Sequence, residues 1–159
     1  MKNINEICEC LNEIEEIMLE VEYEMNYLFT CDIDDIEFSM EKIDQYRQMT
    51  DEIFAEIDNL CEEDETGMLK KAVLPRTDRK DICDDVECIF ELRQELNAVI
   101  HRVATLQPQV IKRFNKEKEK MLEEIKNNNI GQSAKAAKYY SAINDNANGY
   151  HFSPKDRTI

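Results

Sequence analysis

The sequence predicts an all-α fold: an elongated antiparallel bundle of three long helices, coiled-coil-like, with a flexible C-terminal tail. Three observations predict it. Apolar residues recur at steps of three and four through the first thirty positions. The same spacing returns in two later stretches. The chain holds only 3 glycines and 3 prolines in 159 residues, which favours long helices over sheets.

The first helix is expected over about residues 3–29. Ile4, Ile7, Leu11, Ile14, Met18, Val21, Met25 and Leu28 form its seam. Asn3 or Asn5 supplies the cap, and Glu6 suits the positive first turn. Glu9, Glu13, Glu16, Glu20 and Glu24 are assigned to the opposite face. Such a like-charged face gains little from neighbouring pairs, so the helix must be held by packing.

Residues 30–35, TCDIDD, break the pattern. The second helix is expected over 34–63, on a seam of Ile36, Ser39, Ile43, Tyr46, Thr50, Ile53, Ile57 and Leu60. The second break is CEEDETG, with Gly67 suited to a left-handed turn. Met68 to Leu74 has room for one or two helical turns before Pro75.

The third helix is expected over 78–127, capped by Thr77 or Asp78. Ile82, Ile89, Leu92, Leu96, Val99, Val103, Leu106 and Val110 carry its seam, with Asp85 interrupting it. Pro108 predicts a kink rather than a stop. A helix of that length spans roughly 75 Å, so its end is expected to project past the other two. Residues 1–127 then make one helical domain. Residues 128–159 form a polar, asparagine-rich segment expected to be mobile, with a short weak helix over 133–143.

Charge narrows the partners. Residues 1–65 carry 22 acidic and 3 basic side chains, whereas residues 66–126 carry 11 and 13. The acidic half argues against nucleic acid and against an anionic membrane surface. No apolar run reaches membrane-spanning length, and the polar start does not read as a signal peptide. A cytoplasmic location and no membrane insertion are therefore expected. Basic residues of the third helix are expected to meet part of the acidic excess.

Motifs for chemistry are weak. Cys8 and Cys10 lie about 200° apart on a helix, so they do not readily share one ion. The six cysteines read as reduced small hydrophobes. DIDDIEF at 32–38 lacks the glycine and the glutamate frame of a calcium loop. Neither His101 nor His151 follows an acid by three positions, as a di-iron bundle requires. No phosphate-binding glycine pattern or nucleophile motif appears. No catalytic residues, metal or cofactor are expected.

Three features together resemble the FlgN-like flagellar export chaperones. They are the acidic first helix, the stretch MEKIDQYRQMTDEIFAEIDNL at 40–60, and the ending GQSAKAAKYYSAINDNANGYHFSPKDRTI. In the second, Arg47, Ile53, Ile57 and Leu60 match the family's helix pattern. In the third, Gly131, Ala134, Lys135, Tyr139, Phe152 and Lys155 resemble clostridial-type members. Residues 61–77 add a loop that the simple form lacks.

The resemblance implies a non-enzymatic chaperone. Its cargo would be a flagellar hook-associated protein of the hook–filament junction, held by a terminal helical segment and passed to the export apparatus. Helix-in-groove capture is the expected mode. The expected contacts are Val110, Ile111, Phe114, Met121 and Ile125, apolar residues where the other helices are expected to have ended, with Tyr139 and Tyr140 of the tail. Self-association as a dimer is the competing use of these residues. A structural coiled-coil adaptor is the alternative function.

Overall fold

A computed structural model describes residues 2–128 and 141–142. It is all-α, with no strand among the described residues. Four helices follow one another: α1 (Ile4–Tyr27), α2 (Ile33–Glu62), α3 (Met68–Val73) and α4 (Glu87–Asn128). Two single 3₁₀ turns, Arg79–Asp81 and Asp84–Val86, lead into α4.

Most residues of the seams expected from spacing are buried, while Ile4, Tyr46, Leu60, Leu92 and Leu106 are half-buried against that core. Ile7, Leu11, Ile14, Met18, Val21, Met25 and Leu28 are all buried, as are Ile36, Ile43, Ile53 and Ile57 of α2. From α4, Ile89, Leu96, Val99 and Val103 join them. Each such side chain contributes about 1.5–3 kcal/mol relative to exposure. The two polar members of the second seam are satisfied locally. Ser39 donates to Glu24, and the Thr50 hydroxyl donates to the Arg47 carbonyl at 2.8 Å.

α1 packs more extensively on α4 and α2 than any other elements pack on each other. α2 runs antiparallel to α1. The Asn3 amide at one end of α1 donates to the Leu60 carbonyl at 3.2 Å, and Glu24 near the other end meets Ser39. α4 runs parallel to α1. Cys8 lies against Cys88, Glu22 against Arg102, and Leu28 accepts from Arg113.

The breaks show which residues do the capping. Asn3 occupies the N-cap position of α1 with φ of 72°, but its amide bonds Leu60 and Glu63 rather than its own helix. Gly67 takes the left-handed conformation, φ 68°, just before α3. Asp64 orders this turn. One oxygen accepts from the Thr66 N–H and hydroxyl, and the other accepts from the Leu69 N–H at 2.9 Å.

α4 begins at Glu87, not at residue 78. Thr77 does not cap it: the Thr77 hydroxyl donates to the Lys71 carbonyl at 2.6 Å, closing the end of α3. Arg79 then bridges Asp84 and Glu87 at 3.0 and 2.8 Å. These side-chain bonds hold residues 78–86 in short turns and delay the long helix. α4 runs unbroken through Pro108, which lies on an exposed face of the helix.

Candidate functional site

The end of the molecule where α1 turns into α2 is fixed by Arg113. Its guanidinium donates to the carbonyls of Leu28 and Cys31, the last acceptors of α1 and its turn. A cation placed there also meets the negative end of the helix dipole. The α1–α2 turn therefore sits about two-thirds of the way along α4. From Arg113, α4 continues to Asn128, roughly 22 Å further.

This geometry bears on the apolar residues of α4 expected to face a partner. Val110, Phe114 and Met121 are buried, Phe114 at 1% exposure and Met121 at 6%. Val110 and Phe114 flank Arg113, where the α1–α2 turn sits. Ile111 and Ile125 are half-buried. Tyr139 and Tyr140 lie outside the described residues, as does most of the tail expected to be mobile. Of the weak helix expected over 133–143, Ser141 and Ala142 are described and are helical.

Leu122 of α4 is exposed, but most of the exposed large apolar side chains are on α1 and α2. Leu19, Tyr23 and Tyr27 follow one another at four-residue intervals along α1, which sets them on one side of the helix. Phe38 of α2 lies near the same end. Tyr23 is 65% exposed and Phe38 62%. The Tyr27 hydroxyl donates to Asp35 at 3.1 Å and so joins the two helices. That bond, with the neighbouring carboxylates, holds the Tyr27 phenol above its ordinary range.

Lys42 sits among these rings. Its Nζ lies 4.9 Å from the Phe38 ring centre and bonds Glu24 at 2.9 Å. The bond to Glu24, and secondarily its charge, holds the lysine above its ordinary range. Glu24 itself is buried, at 4% exposure, and also accepts from Ser39. It is not part of the solvent face to which its spacing assigned it. Glu16, Glu20, Asp34, Asp35 and Glu41 remain exposed on the two helices that carry the patch. An aromatic patch with a cation at its base and an acidic rim can bind an amphipathic segment.

Reading the sequence by periodicity misses this patch. Periodicity sets Tyr27 beside the seam of the first helix, as a residue that widens its apolar face, and gives Tyr23 and Phe38 no place in either seam. The signal was present as aromatic residues at i and i+4 beside the seam rather than on it. Among the described residues, no helix is long and apolar enough to cross a membrane. No protein-family model, no curated protein and no solved structure matches this chain.

Proposed function

We propose that this chain is a cytoplasmic export chaperone that binds an amphipathic terminal helix of a flagellar hook–filament junction protein. It keeps that helix from premature polymerisation and delivers it to the export apparatus. No bond is made or broken. The proposed frame is an elongated coiled-coil-like bundle of three long helices, bent at Pro108.

The observation that carries this reading is the exposed aromatic patch of Tyr23, Tyr27 and Phe38 on an acidic surface. A helix with an apolar stripe and basic flanks is complementary to it in both shape class and charge. Ile111 and Ile125, half-buried on α4, extend the contact, and Val110, Phe114 and Met121 support the helix that presents them. Tyr139 and Tyr140 complete the proposed set.

The test is a titration of the terminal helical peptide of a hook-associated protein against the full chain. Phe38→Asp is expected to weaken binding at least about tenfold, the effect of losing one aromatic anchor worth about 1.4 kcal/mol. A chain cut after Asn127 tests the tail tyrosines in the same assay. Absence of peptide binding, together with a tight discrete oligomer broken by Phe38→Asp, would replace this reading with a structural coiled-coil adaptor.

A further inference from the structure

We propose that Cys8 and Cys88 form a reversible intramolecular disulfide that locks the start of α1 to the start of α4. This inference stands on the helix pair alone and does not rest on the chaperone reading.

The two sulfur atoms lie 3.4 Å apart, although 80 positions separate them in sequence. A disulfide needs about 2.05 Å, so closure requires roughly 1.4 Å of movement. Rotation about the side-chain torsions supplies displacements of that size. Their meeting follows from the register of the parallel helices. Glu22 and Arg102 are likewise 80 positions apart and form a two-pronged ion pair, at 2.7 and 3.0 Å. From Cys8 to Glu22, and from Cys88 to Arg102, is close to four helical turns. Each thiol therefore lies on the same face of its helix as one member of the ion pair. The register that makes the ion pair also brings the thiols together.

Accessibility assigns the order of events. Cys88 is exposed and lies in the first turn of α4, whereas Cys8 is half-buried. Burial, then the hydrogen bond and charge of Cys88, push the Cys8 thiol up to about 12. Cys88 is thus the thiol that meets an external oxidant. With a small-molecule disulfide as oxidant, the Cys88 thiolate attacks one sulfur and expels the other as a thiolate. The product is a mixed disulfide on Cys88. Cys8 then gives its proton to water and attacks the Cys88 sulfur, expelling the second small thiolate. Two protein thiols are oxidised by two electrons, and one small disulfide is reduced to two thiols.

The bond would close a loop containing α2, α3 and both 3₁₀ turns. Such a long loop restricts the unfolded chain and raises stability. It would also fasten the end of the molecule opposite Tyr27 and Phe38.

The full chain, fully reduced, is incubated with oxidised glutathione, alkylated and analysed by intact mass and non-reducing peptide mapping. The expected product is lighter by about 2 Da before alkylation, lacks two alkylatable thiols and yields a peptide joining residues 8 and 88. Its melting midpoint should rise by more than about 5 °C and return with a dithiol reductant. Cys88→Ser, a change at an exposed position, should abolish both effects, while Cys83→Ser should leave both intact. A lasting glutathione adduct on Cys88 with Cys8 still alkylatable would overturn the proposal. So would a bridge from Cys88 to Cys83, or a disulfide between two chains.

Discussion

Arg93 of α4 donates its Nε–H to the carbonyl oxygen of Val73, 2.9 Å away at the end of α3. The arginine is 1% exposed, and its guanidinium lies 5.5 Å from the centre of the Phe54 ring of α2. One side chain thus joins three helices. It satisfies a carbonyl that a six-residue helix leaves over at its end, and it stacks on an aromatic face as a planar cation can. The Asn97 amide makes a longer bond, 3.4 Å, to the Pro75 carbonyl just beyond.

Replacing Arg93 by alanine should therefore cost roughly 3 kcal/mol, from a lost buried hydrogen bond and a cavity beside Phe54. Arg93→Lys should recover only part of that, because an ammonium cannot stack and donate in the same fixed plane. Urea unfolding of the three proteins checks this. A change below about 0.5 kcal/mol in the alanine variant would show that the contact is not structural.

Arg113 makes a second prediction. Arg113→Ala removes donors from the Leu28 and Cys31 carbonyls and should destabilise the chain by about 1–2 kcal/mol. The loss should be local first. Amide hydrogen exchange should quicken at residues 27–33 before it quickens at the centre of α1. Uniform exchange along α1 would argue that Arg113 is no cap.

Ser39 and Lys42 share the buried carboxylate of Glu24. Ser39→Ala should cost roughly 1–3 kcal/mol, because it leaves one carboxylate oxygen short of a partner. Glu24→Gln combined with Ser39→Ala should cost less than the two changes added together. A double-mutant cycle from thermal unfolding measures this, and strict additivity would disprove the coupling.

Stability should fall at both ends of the pH scale. Bonds from Thr66, then from the Leu69 N–H, hold the Asp64 carboxyl below its ordinary range. A lowered native value means that the unfolded chain binds more protons, so the contribution is present above about pH 4 and fades as pH drops through the native value. Asp64→Asn should flatten that acid limb. At the other end, burial, then the charges of Asp58 and Asp64, push the Cys61 thiol up to about 11. There the native state holds the extra proton, so stability declines as pH rises from about 9 to about 11. Cys61→Ala should flatten that limb. Unfolding curves across pH decide both cases.

The sequence by itself determined that the described residues are mainly helical and where most of the buried faces lie. Eight apolar residues at steps of three and four specify the seam of α1, because only a helix brings them to one side. It also located the turn at Gly67 and the short helix before Pro75. Only the tertiary structure decided what the polar residues do. Spacing assigns Glu24 to the solvent face and sets Arg93 in step with Ile89 and Leu96; both are charged yet buried, Glu24 because Ser39 and Lys42 reach it from α2 and Arg93 because it meets the Val73 carbonyl and the Phe54 ring. Thr77 closes α3 instead of opening α4, a choice made by which carbonyl lies within reach. The patch of Tyr23, Tyr27 and Phe38 and the meeting of Cys8 with Cys88 depend on how α1 aligns with α2 and α4. Periodicity states that a face is apolar; the register between two helices is set by contacts between residues far apart in the chain.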